Sequence, residues 1–511
     1  MSDPNRPQTE LDEAPAQDDA PRWSFAERIR PFIRLFLIFL LVGIFVALSV
    51  AIPDYLHVCR IPAGTRVVDQ SMAPTRSPLG SLIYKSGVLN RLHCDWLKDY
   101  LVYRHYVIPY GAEEIGDDAF GYAIYVMQSV SIPGSVKKIG KCAFAGNTSL
   151  RKIVIPDGVE VIGEAAFGRA QGLASVRIPD SVKEIGSRAF KDCDALEEIR
   201  LPAGLAGTKT GLGNMAFQNC SALRKVSLPD GIQAIGESAF QGCSDLSEVN
   251  IPDSVTSIGA LAFQGCRNLP PVTLGRQVTD IGGGAFAGTG CRLTVPDDHP
   301  TLRLEDGILY SKDRSQLISC VSAPENGTCV VAPETTVILR GAFSGCDTLT
   351  DIRLPKGLEI ISDEAFRDCA GLRRIELPDS LKAIGKEAFR GCIRLEEIAI
   401  PPGVTDVKEA AFYECSSLKR AVLSGKTGRI PPNMFFLCVR LEELVIPEGI
   451  TEIDEHAFYD CRSLKRVTVP DSLKSIVRNA FPSRFDLRLL DQETWERLEK
   501  MMPPPPGPFR E

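Results

Sequence analysis

The sequence lacks an excess of basic residues. Its 58 Lys and Arg residues are outnumbered by 65 Asp and Glu residues, which gives a net charge of −7, and both signs are mixed along the chain. A surface that binds nucleic acid needs a clear excess of positive charge. We therefore expect no nucleic-acid partner.

The 16 cysteines include no C-x-x-C pair, which is the spacing typical of structural zinc sites. Other candidate metal ligands are His57, Cys59, His93 and Cys94, but their spacing matches no familiar site. We expect structural roles for these four residues. The sequence predicts no bound metal and no cofactor.

Long apolar runs are absent except at residues 35–52, LFLIFLLVGIFVALSVAI. A helix of that length spans about 27 Å, just enough to cross the apolar core of a bilayer. The charged residues on its N-terminal side are mostly arginines: Arg22, Arg28, Arg30 and Arg34. By the positive-inside rule, residues 31–53 are predicted to be a single-pass anchor, with a cytoplasmic N-terminus and everything after it extracellular. A signal peptide cleaved near residues 47–49 is the alternative, although a leader this long is unusual for one.

An Ala-Phe pair recurs about every 23 residues over most of the chain. The repeated phenylalanines are Phe120, Phe144, Phe167, Phe190, Phe217, Phe240, Phe263 and Phe286, then Phe343, Phe366, Phe389, Phe412, Phe435, Phe458 and Phe481. A fixed period between 20 and 50 residues indicates a solenoid, in which each coil of chain buries its apolar side against its neighbours.

The repeat at residues 179–202, PDSVKEIGSRAFKDCDALEEIRLP, shows how one coil is expected to fold. Ile199 and Leu201 are spaced two apart, which predicts a short strand with both side chains inward. Pro202 has no N–H group to donate and ends that strand. Ala189 and Phe190 are predicted to pack in a helical or 3₁₀ turn. Neighbouring strands should stack into one long parallel sheet.

Ten cysteines lie three residues after a repeated Phe: Cys193, Cys220, Cys243, Cys266, Cys346, Cys369, Cys392, Cys415, Cys438 and Cys461. Stacked at repeat spacing, their side chains run parallel to one another, which is poor geometry for a disulfide. We predict a column of small buried thiols.

This frame resembles the BspA-like leucine-rich repeats of bacterial surface proteins over about residues 105–485. The resemblance implies an α/β solenoid, with short parallel strands on a concave face and helical, 3₁₀ or extended turns on the convex side. It extends to an interruption, LEDGILYSKDRSQLISC, where the spacing from Phe286 to Phe343 is 57 residues. Many family members have a hairpin at such an interruption. In this chain we expect its strands at ILY and QLISC. The implied role is extracellular, non-catalytic binding with an adhesin-like character.

These observations divide the chain into eight segments. They are a disordered tail at 1–30, the anchor at 31–53, a capping or linker segment at 54–104, a first repeat block at 105–290, a hairpin insertion at 291–335, a second repeat block at 336–485, a capping helix at 486–502 and a Pro-rich tail at 503–511.

A short motif after the anchor, Ser71-Met72-Ala73-Pro74-Thr75, resembles the Ser box of type I signal peptidases. The resemblance covers residues 35–87 and implies that Ser71 would be a nucleophile and Lys85 its base. The later Lys-bearing strand and Gly-Asp boxes of those enzymes are absent. We therefore interpret the segment as a cap of the solenoid and expect no enzyme, while a signal-peptidase-like serine protease fused to repeats remains the alternative.

Two columns of exposed strand residues are candidates for partner binding. The polar column of the first block includes Arg177, Arg200 and Asn250, and in the second block it becomes Ala399, Val422 and Val445. Beside them runs a stripe whose charge alternates in sign from Arg373 onward. We expect a protein or glycan ligand, on a host or neighbouring cell. The stripe either fixes the register of its own strands or supports self-association.

Overall fold

The computed structural model describes residues 58–60, 67–68, 105–121, 127–208, 211–322, 326–477 and 479–481. All of them except Val58 belong to one compact unit, Cys59–Glu511. Within the described ranges, no helix is both long enough and apolar enough to cross a bilayer. The predicted tail, anchor, capping helix and Pro-rich end lie outside those ranges, as do Ser71 and Lys85.

The repeats form a parallel-strand β-solenoid of about 16 turns. The strand that precedes Pro in each frame lies beside its equivalents in adjacent coils, and most of these neighbours pair, to form the A ladder. The A strands of the first block are β3 (His105–Val107), β5 (Ser129–Ser131), β7 (Lys152–Val154), β9 (Ser175–Arg177), β11 (Glu198–Arg200), β12 (Lys225–Ser227), β14 (Glu248–Asn250), β16 (Val272–Thr273) and β18 (Leu293–Thr294). Those of the second block are β22 (Thr328–Val330), β24 (Asp351–Arg353), β26 (Arg374–Ile375), β28 (Glu397–Ala399), β30 (Arg420–Val422), β32 (Glu443–Val445) and β34 (Arg466–Thr468).

A second ladder, the B ladder, is built from two-residue strands just before the turn of each coil. These strands are β2 (Val67–Val68), β4 (Glu114–Ile115), β6 (Lys138–Ile139), β8 (Val161–Ile162), β10 (Glu184–Ile185), β13 (Ala234–Ile235), β15 (Ser257–Ile258) and β17 (Asp280–Ile281), then β23 (Val337–Ile338), β25 (Ile360–Ile361), β27 (Ala383–Ile384), β29 (Asp406–Val407), β31 (Arg429–Ile430), β33 (Glu452–Ile453) and β35 (Ser475–Ile476). Leu212 bridges Ile185 to Ile235 and keeps this ladder continuous. The other elements are β1 (Val58–Arg60), the hairpin strands β19 to β21 described below, and two short 3₁₀ turns, Ala203–Leu205 and Gly425–Thr427.

The turn that carries each Phe is not a helix, so the expected α component is absent from the described repeats. In every coil from Phe144 to Phe458, the residues two before and two after the Phe have positive φ. A left-handed residue on each side of the Phe interrupts any right-handed helix. The N–H groups of Arg188, Phe190 and Asp192 each donate to a carbonyl of the next coil at 2.8 Å. The turn is therefore held mainly by its neighbours, and these bonds offset the strain of its left-handed residues.

The phenylalanine rings form the centre of the core. Phe190, for example, is fully buried and stacks at 5.1 Å on Phe167 and at 5.2 Å on Phe217. Parallel ring planes follow directly from the repeat, because each ring occupies the same position one coil further along.

The predicted column of ten thiols is buried in the core, and these cysteines are free. Each Sγ also has a hydrogen-bonding role that the sequence did not reveal. Cys193 Sγ donates to the carbonyl of Phe167 at 3.2 Å, and the other nine make the equivalent contact with the preceding coil. In the coil of Phe144, Asn147 takes this position and donates to the Phe120 carbonyl at 2.8 Å.

The insertion between the blocks is a three-stranded antiparallel hairpin of β19 (Leu302–Glu305), β20 (Ile308–Ser311) and β21 (Gln316–Cys320). Its first turn is Asp306-Gly307, and both residues have positive φ, as a tight two-residue hairpin turn requires. Strand β21 then pairs in parallel with β23 of the second block. Cys320 stands where a Phe would stand, and its N–H donates to the Ala342 carbonyl.

The hairpin strands separate two hydrophobic cores. Leu309 and Ile318 pack into the core of the first block, whereas Tyr310 and Leu317 pack into that of the second. Both faces of β20 and β21 are therefore buried, which explains why these two strands carry continuous buried runs without alternation. Tyr310, 2% exposed, is a core residue and not a surface contact.

Candidate functional site

The outward side chains of the A strands form the surface that we call the A face. In β11, Glu198 and Arg200 are exposed on either side of the buried Ile199. All six predicted binding residues occupy the equivalent of the Arg200 position. Arg177, Arg200, Asn250 and Ala399 are exposed, and Val422 and Val445 are half-buried.

The charged stripe of the second block is paired within the chain. Lys419 Nζ lies 3.0 Å from Glu396, and Lys465 Nζ lies 3.0 Å from Glu442. In the adjacent column, Arg420 reaches Glu443 at 3.4 Å. This pairing fits the interpretation that the stripe fixes strand register, because neighbouring coils carry opposite charges.

Two open grooves lie on the A face, and each contains two of the predicted residues. The first, the Ser175 groove, has a volume of about 680 Å³. Arg177 and Arg200 line it together with Ser227, which belongs to the same predicted column, and with three residues that the sequence did not single out, Ser175, Asp180 and Glu198. The second, the Ala399 groove, measures about 370 Å³ and includes Ala399 and Val422. Asn250 and Val445 lie in neither groove.

Asp180 organises one wall of the Ser175 groove. Its carboxylate accepts two hydrogen bonds from the Arg200 guanidinium, at 3.0 and 3.2 Å, and one from the Ala203 N–H at 2.9 Å. The Arg200 bonds first, and then the Ala203 bond, lower the pKa of Asp180 below its ordinary value. Asp180 therefore holds Arg200 in a fixed position along the groove.

The strands separate where the Ser175 groove lies. β11 matches three residues of β12 in register but only one residue of β9, the pair Glu198 and Ser175. The Leu201 N–H donates to the Ser227 carbonyl at 3.0 Å. No equivalent bond from Ile178 occurs among the described residues. The groove is thus a local opening of the A ladder.

The opposite, turn side of the solenoid has a different surface. In the first block Gln241 donates to Gln264 at 2.8 Å, within a row that begins at Lys191. In the second block the same row becomes aromatic, with Tyr413 and Tyr459 each stacked at 4.8 Å on Phe436. The faces of Phe436 are therefore occupied by protein, and the row acts as packing between coils.

The remaining candidates are residues that would hold a metal ion or take part in a chemical reaction. No group of three or more His, Cys, Asp or Glu residues among them is arranged to hold a metal ion. The buried His299 accepts hydrogen bonds from the backbone of Thr301 and Leu302, and burial lowers its pKa. It is a structural residue of the hairpin region. The interpretation of Ser71 and Lys85 stays a prediction, because both lie outside the described residues.

The solved structures that this chain resembles include three bacterial proteins. A leucine rich cell surface protein from Faecalibacterium prausnitzii A2-165 is 29% identical, with a TM-score of 0.50, over 72% of this chain and 88% of that one. A leucine-rich repeat protein from Bacteroides ovatus ATCC 8483 is 24% identical, with a TM-score of 0.36, over 71% and 84% of the two chains. The pneumococcal vaccine antigen PcpA is 18% identical, with a TM-score of 0.38, over 78% of each chain.

A comparison with curated proteins found no match. Segments 113–212, 205–298, 336–444 and 428–489 match the family described as "BspA type Leucine rich repeat region (6 copies)". These segments cover more than half of the chain and contain most of the A and B strands. The chain therefore belongs to the family of BspA-type leucine-rich repeat proteins.

Proposed function

We propose that this chain is a membrane-anchored cell-surface protein whose A face binds a protein partner without catalysis. The observation that carries the proposal is the opening of two grooves on the A face, where four of the six predicted binding residues lie. The family consists of repeat proteins and indicates no catalytic activity. One similar structure is that of a cell surface protein, which supports a surface location.

The A face suits a protein partner because it combines fixed backbone with varied side chains. The Ser175 groove is polar and charged, whereas the Ala399 groove places Ala399 and Val422 between paired charges. Protein interfaces commonly join an apolar centre to a polar rim. A glycan would fit the polar groove better than the Ala399 groove, so we favour a protein.

The surface location is tested by protease protection on intact cells that express the full chain with a tag at each end. We expect the protease to digest the C-terminal tag and to leave the N-terminal tag intact. Survival of both tags would place the repeats inside the cell and exclude a surface binding role.

Binding is tested with the purified full chain against a panel of immobilised extracellular matrix and cell-surface proteins. One variant replaces Ala399 and Val422 on the A face with Asp. Its matched control replaces Gln218 and Gln241 on the turn side with Asp. We expect at least one panel protein to bind the wild type and the control but not the A-face variant. Equal loss in both variants, or no binding by the wild type, would contradict the proposal.

A further inference from the structure

A run of charged residues on the A face of the first block is interrupted at one position. The run consists of the first residues of β7, β9, β11, β12 and β14, which are Lys152, Ser175, Glu198, Lys225 and Glu248. The equivalent residues of the second block, from Asp351 to Arg466, alternate in sign without a gap. Ser175 is thus the only uncharged member among these five positions.

The gap separates opposite charges that would otherwise pair. Lys152 and Glu198 lie two strands apart, roughly 10 Å at ordinary strand spacing, so neither reaches the other. Lys225, directly across from Glu198, instead bonds Glu248 at 2.9 Å. The Glu198 carboxylate forms no hydrogen bond or ion pair within the described part of the chain, although its charge, after that of Glu248, helps to raise the pKa of Lys225.

Arg177 is the matching unpaired cation of the groove. It lies two residues beyond Ser175 on the same face of β9. Its equivalent one coil later, Arg200, is held by Asp180. The Arg177 guanidinium has no hydrogen-bond or ion-pair partner among the residues that the structure describes. The groove therefore presents one free guanidinium and one free carboxylate on either side of a small, exposed serine.

We propose that the Ser175 groove binds a peptide segment that carries one acidic and one basic side chain. The acidic side chain would pair with Arg177 and the basic one with Glu198, while the peptide lies over Ser175. This inference rests on the proposed binding function and names the class of partner for one of its two grooves. Charge complementarity favours a peptide over an acidic glycan, because a polyanion would meet Glu198 and Asp180 as well as Arg177.

The groove has the size and the backbone for such a ligand. Its volume of about 680 Å³ lies within the usual range for ligand sites, about 300–1,000 Å³. The strands separate at this point, since only Glu198 and Ser175 remain in register between β9 and β11. An extended peptide across the strands places alternate side chains on one face, so an acidic and a basic residue two positions apart can face the groove together.

The test measures binding of short, end-blocked, fluorescent peptides to the full chain by anisotropy. Each peptide has a Gly and Ser background with two variable positions: one Glu and one Lys, two Glu, or two Lys. We expect the mixed peptide to bind most tightly. Arg177→Gln and Glu198→Gln should each weaken it by up to about fivefold, the scale of one exposed ion pair.

The decisive variant is Ser175→Arg, which fills the gap and supplies a cation to Glu198 as Arg374 does to Glu397 at 3.9 Å. It should abolish binding of the mixed peptide and leave the folded state intact, as checked by thermal melting. Ser221→Arg makes the same change at an exposed position that lies outside the A face and the groove, and it should leave binding unchanged. Retained binding in Ser175→Arg would overturn the proposal, as would stronger binding of the two-Glu peptide or of hyaluronan oligosaccharides.

These outcomes are separate from those of the proposed function. If a panel protein binds the wild type and Ser175→Arg equally but not the Ala399 and Val422 variant, the A face is a binding surface and the peptide site is wrong. If no panel protein binds but the mixed peptide does, the peptide site in the Ser175 groove is supported and the proposed cell-surface binding role is contradicted.

Discussion

The Phe side chain of each coil is enclosed by its own coil and by the two neighbouring coils. This position could be predicted from the sequence, because the period and the flanking Ala-Phe pair identify the inward side. The residue three positions later could be predicted only in part. Its burial followed from the frame, but the Sγ contact with the preceding Phe carbonyl depends on how adjacent coils are offset, which the sequence does not record.

Phe190→Ala tests the packing of the ring column. Removing a fully buried ring from between two others should lower the free energy of unfolding by about 3–5 kcal/mol. Chemical denaturation of the full chain measures the change. Tyr110→Ala is the control, since Tyr110 is 86% exposed and its loss should change stability by less than about 0.5 kcal/mol. Similar losses in both variants would argue against a stacked core.

The buried thiols should make stability depend on alkaline pH. Burial raises the pKa of Cys193, Cys220 and Cys243 above the ordinary value of 9.0. The folded state thus keeps these thiols protonated, while the unfolded chain ionises them as pH rises past about 9. The stabilisation is complete below that pH and is lost progressively above it, until the raised folded pKa is reached.

The comparison that isolates this effect is between the wild type and a variant with Cys220→Ala and Cys243→Ala. Denaturation midpoints measured from pH 7 to pH 11 should fall less steeply above pH 9 in the variant. Identical slopes would show that these thiols do not ionise on unfolding in the way that we describe.

The turn segment illustrates what the sequence could not show at the scale of the element. A helical or 3₁₀ turn was the expectation, and it was wrong for the described repeats. The left-handed positions hold residues as different as Arg188, Asp192, Glu414 and Leu437, so no shared residue type marks them. Their conformation is fixed by hydrogen bonds to the next coil, which local propensity does not reveal.

The hairpin was predicted more successfully, since ILY and QLISC fall within Ile308–Ser311 and Gln316–Cys320. The role of the hairpin in separating two cores was not predicted, because a continuous apolar run does not show which core each residue enters. The candidate site was also predicted only in part. Arg177 and Arg200 were found as exposed strand residues, but Ser175 was missed, although its place in a column of charges was visible as a break.

Leu309→Ala and Leu317→Ala test whether the hairpin serves both cores. Each removes a fully buried side chain and should cost about 2–5 kcal/mol. Limited proteolysis with mass spectrometry should show new cleavage in the first block for Leu309→Ala and in the second block for Leu317→Ala, because these leucines pack into different cores. The same cleavage pattern in both variants would mean that the hairpin does not separate them.

At the scale of the whole molecule, the blocks form a stack in which each coil contacts its neighbours. The stripe charges from Glu396 to Arg466 pair with one another inside this stack, so we do not expect them to join two copies. Lys419→Glu places like charges beside Glu396, which should lower stability slightly. Sedimentation velocity should show the same oligomeric state for this variant and the wild type at low and high salt. A change of oligomeric state would show that the stripe mediates self-association.

The central claim is that the A face, and not the turn side, makes contact with a partner. Hydrogen–deuterium exchange of the full chain, alone and bound to the panel protein that it binds most tightly, tests this directly. We predict that binding slows exchange in A-strand segments such as Glu198–Arg200 and Glu397–Ala399 and leaves the turns around Phe190 and Phe389 unchanged. Slowed exchange confined to the turns would contradict the account.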